Sequence, residues 1–389
     1  MRFSLFVLLA ALAGTPALAA PCGGGFGDFI KAMKSEAIAK GHSRADVEAF
    51  FAGAKQDSRV IKADRSQGVF RKTFLDFSQS LISKGRVSNG AANSRKYDAV
   101  FKKAAQDYGV SRGILLAFWA FETDFGQVQG DFNTVNALVT LGHDCRRPDL
   151  FQPQVFAAIE LYNRGMLDPA RTTGAWAGEI GMVQMLPADI LARGVDGDGD
   201  GKVSLKTSAP DALLSGARLL QHHGWRAGEP WLQEVVLPDT LDWSQTGLET
   251  QLSTAQWANM GVQGREAALP KGLSASVLLP QGRKGPAFLA YPNYRVLFEW
   301  NKSFVYVTTA AYFATRLQGA SPYDSGKPDP ALSEGDMKAL QTKLAARGHD
   351  VGKIDGILGA LSRTAVQKEQ ARLGLPADAW PTRELLNAL

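Results

Sequence analysis

A chain of 389 residues is long enough for two or three domains. With 45% hydrophobic and 21% charged residues, its composition is that of a folded protein and excludes a disordered one. The 43 basic residues exceed the 38 acidic ones by only five and form no Lys/Arg run, so nucleic-acid binding is not expected.

In chain order, residues 1–20 come first and read as a secretory signal. Arg2 supplies the charge, Phe3–Ala13 the apolar run, and Ala17-Leu18-Ala19 the small-x-small site. A buried N-terminal helix is the competing reading. No run reaches the roughly 20 apolar residues of a membrane span. Cys22 follows, but Pro21 stands where a lipid-attachment signal wants a small residue, so cleaved export to the periplasm ranks above lipoprotein anchoring. The only other cysteine is Cys145. In an oxidising compartment the pair suggests a disulfide, against the alternative of two free buried thiols.

From Phe26 to about Leu81 the apolar residues fall at helical spacing. Helices are expected at 97–108, at 111–123 with Ser111 as N-cap, and at 154–164, 187–192 and 210–223. The character changes after Trp231, where β-prone runs at 234–237, 275–279 and 294–300 sit between Pro and Gly residues. They suggest a small β-containing insertion over about 231–299. Residues 303–317 return to a helix-length apolar run, 319–332 have a linker's composition, and 333–389 form a small helical unit. The fold class is mainly α.

The stretch from Ile114 to Gly126 carries the chemistry. Eight apolar residues in a row, Ile114–Phe121, make a helix buried nearly all round that ends in Glu122. A carboxyl among Phe118, Trp119, Phe121 and Phe125 is desolvated, which raises its pKa as a general acid requires. The other reading is a salt-bridged structural Glu where the helix surfaces. The residues alone do not separate the two.

Phe121-Glu122-Thr123-Asp124-Phe125-Gly126, Cys145-Arg146-Arg147, and Gly174 through Pro187 resemble the membrane-bound lytic transglycosylase B family in order. The 195–201 loop, His223-Gly224-Trp225 and Trp300-Asn301-Lys302-Ser303 continue the match. The resemblance implies a lysozyme-like helical core with a deep cleft, acting on peptidoglycan glycan strands and needing no cofactor for catalysis. It makes Glu122 the sole catalytic acid/base, cutting between N-acetylmuramic acid and N-acetylglucosamine with formation of 1,6-anhydromuramyl ends. It further implies that Gln184, Asn301, Trp300 and Ala175 line the substrate site, and that Arg146 and Arg147 lie near it. A surface salt bridge is the alternative for Arg147. A hydrolytic muramidase and a catalytically weak wall-binding scaffold are the competing functions. The chain departs from the family at Ala175, Leu219, Trp300 and Phe77, where hydroxyls or an aromatic are usual. Glu179, at a normally small position, offers a second cleft carboxylate.

Asp196, Asp198 and Asp200, with the carbonyl of Lys202, have the spacing of an EF-hand loop. Thr207 stands where the closing Glu belongs, and Asp211 resembles the family's closing ligand. A structural Ca²⁺ is therefore expected, against a solvated acidic turn. The histidines form no ligand pattern. Residues 333–389 resemble a three-helix peptidoglycan-binding module through Leu340-Gln341, Asp355-Gly356 and Ala365-Val366, with Glu369 in place of a core aromatic.

Overall fold

The computed structural model describes residues 20–66 and 72–389. The expected signal at 1–20 therefore lies outside the described residues, save Ala20. Among the described residues, no helix is long and apolar enough to cross a membrane.

The centre of the fold is the helix Arg112–Thr123, capped by the Ser111 side chain as expected. Every residue from Gly113 to Ala120 is buried. A helix that is apolar all round has no solvent face to offer and must be enclosed by neighbours. Its principal neighbour is Phe304–Leu317, equally apolar, with Phe304 to Ala314 buried. Gly113 lets the two backbones meet, since a Cβ there would lie 2.7 Å from the Ala314 carbonyl oxygen. Further along, Phe121 stacks on Phe313 at 5.1 Å and Phe118 on Trp300 at 4.2 Å. Burial of each such ring contributes about 2–3 kcal/mol.

The helices Phe74–Leu81, Asp98–Tyr108 and Ala209–His222 pack against this central pair, while Phe26–Ala39, Arg44–Phe51 and Ser58–Arg65 pack against the helices Thr134–His143 and Pro148–Asn163. Two helices escape the periodicity argument. Thr134–His143 is buried at every position, so it has no stripe to detect. Lys84–Lys96 is so polar that only Gly90 is buried, and it packs there against Leu317. A third, Pro148–Asn163, begins earlier than expected and carries Pro153 in its interior.

The strands are β1 (Phe132–Asn133), β2 (Thr173–Gly174), β3 (Leu232–Val236), β4 (Leu252–Ser253), β5 (Gln263–Gly264), β6 (Ser274–Leu278) and β7 (Phe288–Ala290). The last five form one antiparallel sheet in the order β4-β6-β7-β3-β5. Period-two alternation divides its side chains between two cores. Leu278, Phe288 and Ala290 join the helical core, while Val277 and Leu289 join Trp257 of the helix Thr254–Asn259 in a second one on the far face. Residues 294–300, read as β-prone, are instead the helix Pro292–Trp300. Pro292 at its first turn and Tyr294, Val296 and Leu297 on its buried face set the helix, overriding strand propensity.

Cys22 and Cys145 are bonded across 123 residues, tying the chain start to the core. Loop-closure arguments credit such a bridge with about 4–5 kcal/mol. At the other end, Glu334–Ala346, Ala360–Arg372 and Arg383–Ala388 enclose a core of Met337, Leu340, Leu344, Val366 and Leu385. The preceding 319–332 segment has no helix or strand, yet Tyr323 packs 4.7 Å from the Tyr312 ring and hydrogen-bonds Ser78. The C-terminal unit is held against the sheet. Arg363 is inserted between the units and donates to the Leu279 and Pro280 carbonyls, while Gln367 donates to the Trp243 and Thr246 carbonyls.

Candidate active site

Glu122 sits in the last turn of the central helix, where the chain turns sharply. Asp124 and Phe125 both take left-handed backbone angles, φ 50° and 60°. Two successive non-glycine residues in this region cost of order 1–3 kcal/mol each, so the surroundings must hold them. Arg86 does so by donating to Asp124 at 3.1 Å. Thr123 does so by accepting from Gly126 N–H and donating to the Met182 carbonyl at 2.6 Å. That second bond clamps the helix end to the loop of residues 174–187. Ala175 N–H donates to the Glu179 carbonyl there, and Ile180 and Met185 exchange backbone bonds.

The Glu122 carboxyl retains a little exposure to the cleft but is otherwise enclosed by protein. Oε1 accepts from Trp300 Nε1–H at 3.0 Å and from the Tyr306 hydroxyl at 2.5 Å. Burial drives its pKa above the usual carboxylate range, while these two hydrogen bonds pull it back. Burial also drives the Tyr306 phenol well above its ordinary value, so it stays a donor. With both donors on Oε1, the acid proton belongs on Oε2. This is an arrangement for giving and taking one proton at a fixed place.

Trp300 is the departure that the structure explains. It occupies a position where tyrosine is usual, and its indole N–H supplies a donor to Glu122 in place of a hydroxyl. Tyr306 belongs to no motif of the sequence. Its one signal is a phenol in the apolar run that opens the Phe304–Leu317 helix, since a buried phenol needs a partner. Gln184 has φ 52° and donates to the Gly181 and Gln129 carbonyls, leaving its own Oε1 buried without a partner. Asn301 accepts from Ser303 N–H at the start of the Phe304–Leu317 helix. Ala175 enters through its backbone alone.

Arg146 and Arg147 both hold Asp64, which is 1% exposed. Arg146 also donates to the Asp64 carbonyl, and Arg147 lies over the Phe151 ring. Both side chains remain about one-third exposed, so neither is wholly covered by its bond to Asp64. Glu179 is on the clamped loop, and burial pushes its carboxyl up to about 7. The Glu122 charge adds to that rise, while the backbone amides of Glu179 and Ala177 and the Arg147 guanidinium oppose it. Leu219 and Phe77 are buried in the core.

In the acidic loop the structure brings together Asp196, Asp198 and Asp211, whose carboxylate oxygens lie within 4.8 Å of one another. Asp200 is outside this group, exposed, and accepts from the Lys202 N–H. Asp211 is buried and accepts from the N–H groups of Gly197 and Ser204 and from the Ser208 hydroxyl. An all-oxygen set of three carboxylates fits a hard divalent cation such as Ca²⁺.

Comparisons with known proteins fit this helical fold with a buried carboxyl at the end of its central helix. The Transglycosylase SLT domain model matches residues 25–315, and the chain belongs to that family. A Putative peptidoglycan binding domain matches residues 333–389. Membrane-bound lytic murein transglycosylase B of Escherichia coli (strain K12) is 27% identical over 235 residues, 60% of this chain. The chain spans 64% of the length of that relative. SltB3 from Pseudomonas aeruginosa, solved with NAG-anhNAM-pentapeptide and with NAG-NAM-pentapeptide, is 35% identical with TM-score 0.86. Those alignments cover 94% of this chain and 99% and 100% of the two SltB3 chains. Soluble lytic transglycosylase SltB1 from the same organism is 25% identical with TM-score 0.65, over 75% of this chain and 99% of its own.

Proposed function

We propose that this lytic transglycosylase-family protein cleaves the β-1,4 bond between N-acetylmuramic acid and N-acetylglucosamine, leaving 1,6-anhydromuramyl ends. The observation that carries the reading is the enclosed Glu122 carboxyl, fixed by two neutral donors on one oxygen. Its Oε2 proton goes to the bridging oxygen as the bond to C1 breaks. The same carboxylate then takes the proton of the muramyl C6 hydroxyl, whose oxygen closes on C1. One proton leaves and one returns, so no water is consumed. Tyr306 and Trp300 steady the carboxylate between the two steps, when it bears its charge.

Gln184, Asn301, Trp300 and the Ala175 backbone line the sugar site in this reading, and the exposed parts of Arg146 and Arg147 face stem-peptide carboxylates. Asp196, Asp198 and Asp211, with Asp200 and the Lys202 carbonyl at the loop rim, would hold a Ca²⁺ that braces the core. Three segments carry the work: residues 21–318 cut, 319–332 connect, and 333–389 bind wall polymer. The protein acts in the periplasm after removal of the first 20 residues.

Digestion of purified sacculi by wild type and Glu122→Gln, with products read by mass spectrometry, tests the assignment. Wild type should release 1,6-anhydromuramyl ends, and Glu122→Gln should lose at least about a thousandfold in rate. Reducing ends alone would establish a hydrolytic muramidase. Unchanged digestion by the variant would remove Glu122 from the mechanism.

A further inference from the structure

Both donors to Glu122 come from one short stretch of chain. Trp300 ends the helix Pro292–Trp300, and Tyr306 stands in the first turn of Phe304–Leu317. Between them, Asn301 accepts from Ser303 N–H and the Ser303 hydroxyl accepts from Tyr306 N–H. Phe304 lies inside this stretch, two residues before Tyr306. Two residues turn a helix by about 200°, so the two rings leave it on opposite sides. The Tyr306 ring reaches Glu122, and the Phe304 ring meets the C-terminal unit.

The group that meets Phe304 is Arg363, on the helix Ala360–Arg372 of that unit. Its guanidinium lies over the Phe304 ring, 4.5 Å from the centroid, with the Trp380 ring at 5.9 Å. It donates to the Pro280 carbonyl at 2.7 Å and the Leu279 carbonyl at 3.4 Å, just past the end of β6. Arg363 is 9% exposed, and among the described residues no carboxylate is bonded to it. A buried charge without a counter-ion is costly, and here carbonyl oxygens and ring faces stand in for water. The planar fork needs all of these partners at once, so the guanidinium has one place to sit.

The unit that carries Arg363 is itself locked. Asp378 accepts from Arg283 N–H at 3.0 Å, and Trp380 Nε1–H donates to the Asp329 carbonyl at 3.0 Å. Lys327 N–H donates to the Lys284 carbonyl at 2.8 Å, which lays the connecting segment along the β6–β7 loop. A Cβ on Gly282 of that loop would meet the Trp380 Cβ at 2.7 Å. Arg363 is therefore presented from a fixed frame and not from the end of a loose tether.

We propose that Arg363 is a positioning residue for the acid/base: by holding Phe304 from outside, it fixes the 300–306 stretch so that Trp300 and Tyr306 both meet Glu122. This rests on the reading of Glu122 as the acid. Arg363 touches neither substrate nor reacting atoms. The hydrogen bonds it aligns are 3.0 Å and 2.5 Å long, and a shift of the stretch by about 1 Å would take them beyond useful length. The carboxylate would then lose support between the two proton transfers, when it is charged. The unit that binds wall polymer thus has a second task, which is to complete the frame of the active site.

The test uses the full chain with a soluble glycan fragment as substrate. Arg363→Met keeps much of the bulk and removes the charge and the fork. Its kcat should fall about fivefold, with KM within about twofold of wild type. Phe304→Leu removes the ring from the other side of the contact and should give the same split. Arg363→Lys keeps the charge without the fork and should lie between wild type and Arg363→Met. In a Tyr306→Phe background, Arg363→Met should cost less than about twofold, because one of the bonds it aligns is already gone. An unchanged kcat, an effect confined to KM, or the full loss in that background would overturn the proposal.

Hydrogen exchange read by mass spectrometry separates the brace from the reading of Glu122. The Tyr306 and Val307 amides donate to the hydroxyl and the carbonyl of Ser303. Their exchange should quicken severalfold in Arg363→Met and in Phe304→Leu, while the amides of the central Arg112–Thr123 helix stay as in wild type. Unchanged exchange, or quickening of both stretches alike in the two variants, would overturn the brace. If the local quickening is seen while Glu122→Gln keeps full activity, the acid/base assignment has failed and the brace has not.

Discussion

The protein encloses Glu122 at its cleft and Glu369 in its C-terminal unit, and treats them in opposite ways. Glu122 receives hydrogen bonds from a phenol and an indole, both neutral. Glu369, 4% exposed, accepts from Arg372 and His349 at 2.8 Å each, with Arg347 at 3.9 Å. Arg372 and His349 hold the Glu369 carboxyl below its usual range, whereas burial carries Glu122 above it. Cations make a buried carboxylate permanent; neutral donors leave it able to take a proton back. The first suits a structural centre, the second an acid/base. The departure from a core aromatic at Glu369 is thus answered by an ion cluster that the neighbouring helix and loop supply.

Tyr306→Phe should break this contrast with the largest effect. It removes a donor that favours charged Glu122, so the pKa rises and the alkaline limb of the pH–rate profile moves to higher pH. The rate at the optimum should fall about tenfold, since the charged intermediate state loses one hydrogen bond. An unmoved limb would show that the phenol does not govern the carboxyl.

Glu369→Gln comes next, with a stability loss of about 1–3 kcal/mol at pH 7 by denaturant unfolding. The sign follows from the lowered pKa: the stabilisation is present above the unfolded value near 4.3 and lost as pH falls through the folded one. The deficit should shrink as pH falls from about 4.3 and close only below the lower folded value. Cleavage of soluble glycan fragments by the catalytic unit should be unaffected.

The smallest effect concerns a third buried carboxylate, Asp211, 1% exposed and held by neutral donors alone. Adding Ca²⁺ should raise the melting temperature by a few degrees, and Asp198→Ala should abolish the rise. No shift with wild type would leave the loop a hydrogen-bonded turn.

Much of the site was legible because its residues lie in one contiguous helix and one adjacent motif. Eight apolar residues ending in Glu122 mark a buried helix with a carboxyl at its end, and Cys22 and Cys145 suggest the disulfide that the structure forms. Thr134–His143 and Lys84–Lys96 were not legible. The first is buried on all sides and the second on almost none, so neither has an apolar stripe. Residues 294–300 misled because β-branched and aromatic residues serve a buried helix face as well as a strand.

Sequence alone placed Glu122 at the end of an apolar helix and left two readings open, a desolvated acid or a salt-bridged surface Glu. It did not determine which groups would meet the carboxyl. Tyr306 and Trp300 reach it across more than 170 residues of chain. Local composition fixes how apolar a helix is; only the packing of distant helices decides how much water its last carboxyl loses, which donors and charges replace that water, and so how its proton behaves.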